Sequence, residues 1–211
     1  NTTGSDNTAV GLNALGANTT ASYNTAVGRN ALLTNTTGQN NTAIGNLSLD
    51  ANTTGGSNVG IGDNALGGNT TASDNTAIGG AALMANTTGA NNVAVGAQAL
   101  RYNTTASNNT AVGYQSLDNN TTGHSNTGVG QRTLFTNATS NNNTAIGYLA
   151  LELNTTGGNT AVGGQALQAN STGEANVAVG QAALIANTGG STNLALGNNA
   201  ATANTTGTRN I

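Results

Sequence analysis

A branched aliphatic residue returns along this chain at Val10, Val27, Ile44, Ile61, Ile78, Val95, Val112, Val129, Ile146, Val162, Val179 and Leu196. Five residues after each stands a leucine, from Leu15 to Leu184, until Ala201 takes the place in the last unit. The spacing is 17 residues throughout, apart from one interval of 16 between Ile146 and Val162. Counted from the Asn three residues before each aliphatic, the unit reads N-T-A-(V/I)-G-x-x-A-L-x-x-N-T-T-G-x-x. It recurs twelve times, and a thirteenth copy begins at Asn210. Such a period is the signature of a solenoid. Gly, Asn and Thr throughout, with no sustained 3.6-residue apolar pattern, argue against helices.

The pattern predicts an all-β fold: a parallel β-solenoid, or β-roll, of about twelve 17-residue coils forming one domain over residues 1–211. At a strand spacing of about 4.8 Å, the stack is a rod on the order of 55–60 Å long. Positions 4 and 9 are the expected core, one aliphatic from each wall of a flattened coil. Side chains alternate along a strand, so position 2 (Thr, or Val59, Val93, Val177 and Leu194) is expected at the core margin. Gly at position 5, from Gly11 to Gly197, suits a corner with positive φ or close backbone approach. The Asn residues at 1 and 12 suit corners and amide ladders between coils.

The same alternation points position 3 outward. That column holds only Ala or Gly: Ala9, Ala26, Ala43, Gly60, Ala77, Ala94, Ala111, Gly128, Ala145, Ala161, Ala178 and Ala195. An outward column restricted to small residues implies lateral packing against another chain; the other reading is an innocuous surface filler.

Composition changes this picture little. Charged residues are 5% and aromatics 2%, values that would suggest disorder were the sequence not strictly periodic. With no Cys, stability rests on backbone ladders and packing rather than disulfides. A net charge of −3 provides no basic surface for nucleic acid or anionic lipid, and no apolar run predicts direct membrane insertion of this segment. The chain opens at Asn1-Thr2-Thr3 and closes at Asn210-Ile211, inside repeats, which suggests a piece of a longer fibre protein or ends that join other units.

All eleven charged residues fall at positions 6, 7, 10, 16 or 17, the expected solvated faces. Tyr23, Tyr102, Tyr114, Phe135 and Tyr148 occupy the variable columns too, and are candidate receptor or sugar contacts if they are not scattered surface residues. At position 10, Leu33, Met84, Phe135 and Ile185 recur every third unit, as do Asp50, Arg101 and Glu152 one unit later. Duplication of three-unit blocks or a lateral contact at every third coil explains this. The short unit, Asn143 to Gly158, is expected to lack position 16 or 17.

Catalytic chemistry finds no candidates. The single His, His124, stands at position 16, there is no Cys nucleophile, and the acids are too dispersed for a calcium loop. No enzyme, metal or cofactor is expected. Asn-x-Thr at position 12, as in Asn18-Thr19-Thr20, also meets the glycosylation rule, although turn geometry already accounts for it.

The run Asn92-Val93-Ala94-Val95-Gly96-Ala97-Gln98-Ala99 resembles the head repeats of YadA-like trimeric autotransporter adhesins, close to S-V-A-I-G-x-x-A. Related N-T-A-V-G repeats occur in tail-fibre and surface proteins of phages and bacteria. The resemblance implies a left-handed roll, three chains side by side, and attachment to host surfaces outside the cell or on the virion. The adhesin unit is about three residues shorter, and no neck, stalk or anchor sequence is present. The resulting expectation is a non-enzymatic fibre or adhesin segment. The alternatives are an end-to-end polymerising filament, since neither end has a cap, and an ice-binding solenoid. A half-buried position 2 argues against the last of these.

Overall fold

The computed structural model describes all residues, 1–211. Each repeat contributes one three-residue strand at positions 2 to 4. In chain order β1 to β12 are Thr8–Val10, Thr25–Val27, Thr42–Ile44, Val59–Ile61, Thr76–Ile78, Val93–Val95, Thr110–Val112, Thr127–Val129, Thr144–Ile146, Thr160–Val162, Val177–Val179 and Leu194–Leu196. Every strand pairs in parallel with its successor, position on position, as in Ala94↔Ala111, so the twelve form a single sheet along the rod. The fold is a parallel β-solenoid.

The opposite wall is built of turns. Positions 7 and 9 both take left-handed backbone, as at Asn30 (φ 57°) and Leu32 (φ 50°). These turns send N–H groups alternately along the stack. Asn30 N–H donates to Leu12 O of the coil before at 2.8 Å, and Leu32 N–H to Ser48 O of the coil after at 3.0 Å. A left-handed leucine costs about 1–2 kcal/mol. Its complete burial contributes about 1.5–3 kcal/mol, so the core position outweighs the strain. Gly at position 5 has φ between 123° and 138° in all twelve units. A Cβ on Gly96 would lie 2.7 Å from the carbonyl carbon and oxygen of Gly113, so only glycine fits this corner.

The strand faces the opposite way from the expected orientation. Ala26, Ala43, Ala77, Ala94, Ala111, Ala145, Ala161 and Ala178 have no exposure, Ala195 has 5%, and Gly60 and Gly128 are buried. Ala9 alone in this column is exposed, in the outermost coil. Position 3 is therefore the interior of the solenoid and not an inter-chain contact. Position 4 points out instead: Ile44, Ile78 and Ile146 are 38–40% exposed. The physical reason is the narrowness of the coil. The strand lies directly on the Ala and Leu of positions 8 and 9, and one methyl group fills the gap. The continuous core of 27 residues is made of these three columns alone.

Two exceptions show how tight the fit is. Where position 8 carries a serine, at Ser48 and Ser116, position 3 of the next coil is glycine. A Cβ on Gly60 would stand 2.7 Å from Ser48 Oγ, and one on Gly128 would stand 2.6 Å and 2.7 Å from the hydroxyls of Ser116 and Thr133. The space left by the missing methyl lets Ser48 Oγ–H donate to Gly60 O at 2.8 Å, so the buried hydroxyl is satisfied.

Buried asparagines close the third corner. Asn52 Nδ2 donates to Asn35 Oδ1 in the neighbouring coil at 2.9 Å and to Gly55 O at 2.9 Å. Asn41 Nδ2 reaches the same Gly55 O at 2.9 Å, while Asn41 Oδ1 accepts Asn58 N–H at 2.9 Å. Position 12 thus forms an amide ladder, and position 1 links side chain to backbone. With position 12 fully buried from Asn35 to Asn187, its amide nitrogen is inaccessible to glycosylation in the folded chain.

Candidate functional site

Three surfaces remain once the core is assigned. The first is the outer face of the sheet. Its two columns are position 2, Thr in eight units and Val or Leu in four, and position 4, Val, Ile or Leu throughout. Neither contains a charged residue. Position 2 is mostly half-buried by its neighbours along the stack but lies on this outward face, while position 4 is half-buried to exposed.

The second surface lies on the turn wall over the sixth to tenth coils. Arg101 makes a two-pronged pair with Asp118 one coil away, Nε and Nη2 each at 2.9 Å from a carboxylate oxygen. Its guanidinium also lies 4.3 Å from the Tyr102 ring centroid. Two coils on, Arg132 pairs with Glu152 at 3.0 Å and stacks 4.3 Å from the Phe135 ring. Gln168 Nε2 donates to Glu152 at 2.8 Å, extending the chain of contacts. Position 10 is consequently not the solvated column expected: the Asp118 side chain is 1% exposed and that of Glu152 12%. Desolvation raises the Asp118 carboxyl above the usual carboxylate value, with the hydrogen bond and charge of Arg101 pulling against it. Asp50 is raised by burial too, opposed by backbone hydrogen bonds.

Side-chain size explains part of the periodicity in column 10. A Cβ on Gly16 would meet Leu33 Cδ1 at 3.2 Å, and one on Gly67 would meet Asp50 Oδ1 at 3.3 Å. A large residue leans over a glycine one coil away.

The five candidate aromatics do not form one site. Tyr102 and Phe135 join the arginine-lined wall. Tyr114 and Tyr148, 48% and 54% exposed, stand two coils apart at position 6, beside the glycine corner. Tyr23 is 57% exposed on the position 17 turn of the first coil. His124 is exposed at position 16, its Nδ1 3.4 Å from Ser125 Oγ.

Comparison with protein-family models, curated proteins and solved structures finds no match. The geometry therefore carries the functional argument.

The third surface is a notch of about 410 Å³ at the short coil, lined by Ser140, Asn141, Asn142, Thr155, Thr156, Gly157, Gly158 and Glu174. Hydrogen bonds locate the missing residue. Gly158 N–H donates to Asn141 O at 3.2 Å, the bond a position 17 residue makes in other coils, as Tyr23 N–H does to Ser5 O. Gly158 thus holds position 17 and Gly157 position 16. The loss falls in the Thr-Thr-Gly edge before them, not at position 16 or 17 as expected. Asn154 Nδ2 consequently reaches Thr156 O, two residues on, at 2.6 Å, where other coils bond three residues on. Asn143, without its usual carbonyl, donates to Asn137 Oδ1 at 3.3 Å. The 16-residue interval is visible in sequence; which edge it opens depends on these bonds.

Proposed function

We propose that the chain is a non-enzymatic structural segment of an extracellular fibre or adhesin, a rigid rod on a cell or virion surface whose sheet face packs against further copies of itself. The observation that carries this reading is the uncharged outer face, two unbroken columns of Thr and branched aliphatics along all twelve strands. Exposed sheet surface of this kind, without Lys, Glu or Pro to deter contact, favours association. Twelve strands about 4.8 Å apart, each about 10 Å long, give every copy roughly 550 Å² of this face. Two copies together reach the roughly 1,000 Å² that a specific interface requires. The turn wall is left free, with its aromatic and charged variety available for attachment to a host surface. Position 3, buried within each coil, has no part in the association.

Sedimentation of the full chain and of a Val95→Glu/Val112→Glu variant tests the proposal. A homo-oligomer that becomes a folded monomer in the variant is expected. A wild-type chain monomeric across the accessible concentration range would overturn it.

Ice binding has one specific observation in its favour: positions 2 and 4 share one outward face, with position 2 mostly half-buried by its neighbours along the stack. Thermal hysteresis in the monomeric state is its test, and its absence disposes of it.

A further inference from the structure

We infer that the notch at the short coil is a binding site for one residue of a neutral, polyhydroxylated ligand, a sugar. The rod is periodic everywhere else, and at this one place it opens a cavity of about 410 Å³. That lies within the roughly 300–1,000 Å³ typical of small-molecule sites. Its chemistry is unusual for such a site because no lining residue is hydrophobic. An apolar or aromatic ligand would find no surface to desolvate against. A ring bearing hydroxyls on every side would find partners throughout.

Those partners are mixed donors and acceptors, as hydroxyl recognition requires. Asn141 Oδ1 is taken by His124 N–H at 2.7 Å, which fixes the amide and leaves its Nδ2 protons without an acceptor in the chain. The Asn142 side-chain amide makes no hydrogen bond within the chain, while its backbone N–H donates to His124 O at 3.2 Å, and the backbone N–H groups of Asn141 and Gly157 donate to no protein acceptor. On the far side Glu174 is exposed and joins no salt bridge, so its carboxylate can accept from two hydroxyls. Gly157 and Gly158 line the notch too, and their lack of side chains gives a ring access to the backbone. A metal ion is the poorer occupant, because no three acidic or His groups converge anywhere on the chain. The single carboxylate also disfavours acidic sugars.

The test uses the full-length ¹⁵N-labelled chain titrated with the methyl glycosides of glucose, galactose and N-acetylglucosamine. Saturable shifts are expected at the amides of Asn141, Asn142, Gly157, Gly158 and Glu174 with at least one glycoside. Inserting one Gly after Thr156 restores the Thr-Thr-Gly edge and the 17-residue spacing and closes the notch, so this variant should keep its fold and lose the shifts. Glu174→Gln should weaken binding severalfold while leaving the spectrum of the other coils unchanged. Three results overturn the site: no shifts with any glycoside, equal shifts in the insertion variant, or shifts spread over the regular coils. None of these bears on the association of the sheet faces, which sedimentation tests separately.

Discussion

A single methyl group separates the inside of this molecule from its outside. At position 3 the strand has room for Cβ and nothing more, while the neighbouring position 4 carries its branched side chain into solvent. Ala94→Val should therefore destabilise the chain by about 1–3 kcal/mol through overpacking. Val95→Thr, one residue on, should change stability by no more than about 0.5 kcal/mol. Equilibrium urea unfolding of the two variants separates the orientations directly, and equal effects would contradict the structure. Asp50 supplies a second prediction at this scale. Burial raises its carboxyl above 3.8, so the folded chain takes up the proton at higher pH than the unfolded chain. Its contribution to stability should rise as pH falls through the folded value and level off below the ordinary one. The difference in melting temperature between wild type and Asp50→Asn, followed from pH 7 down to about 3, reads this out.

At the scale of the coil, the unit is held by a triangle of turns, each closed by a different device. One is the glycine corner, one the left-handed Leu wall, and one the buried Asn pair around the carbonyl of position 15. The Asn device makes a sharp prediction because an amide both donates and accepts. Asn103 Nδ2 donates to Asn86 Oδ1 at 2.9 Å and to Ala106 O at 3.0 Å. Asn103→Ala should cost about 1–3 kcal/mol by leaving buried acceptors without this donor. Asn103→Asp should cost more, because a carboxylate would face two oxygens with no proton to share. Urea midpoints that rank the two variants the other way would refute the ladder.

Across the whole molecule, each coil touches only its neighbours, so stability is close to a sum of coil and interface terms. Protection should then follow position along the rod. Amide exchange is expected to be slowest in β5 to β8 and fastest in β1, whose three residues are all exposed, and in β12, where only Ala195 is buried. Uniform protection from end to end would instead point to one global unfolding unit. The Arg101–Asp118, Arg132–Glu152 and Gln168–Glu152 contacts cross three of the interfaces between the sixth and tenth coils, which adds to the contrast between the middle of the stack and its ends.

Periodicity alone was enough to reveal the solenoid, the strand at positions 2 to 4, the glycine corner, the leucine column and the asparagine ladder, because each repeats in every unit and each has a local cause. It was not enough to orient the strand. In a three-residue strand with Thr, Ala and Val, the aliphatic residue is the natural candidate for the core, and alternation fits either assignment equally well. Only the width of the coil distinguishes them, and that width depends on contacts between walls built from different parts of the repeat. The pairing of Gly60 with Ser48, and of Gly128 with Ser116 and Thr133, was present in the sequence as a covariation between columns 3 and 8. It acquires meaning when those columns are seen to face each other. The burial of Asp118 and the notch at the short coil depend on stacking, which brings residues 16 or 17 apart into contact. The repeat therefore specifies which residues stack, and the cross-section of the coil determines which of them face the core and which face the world outside.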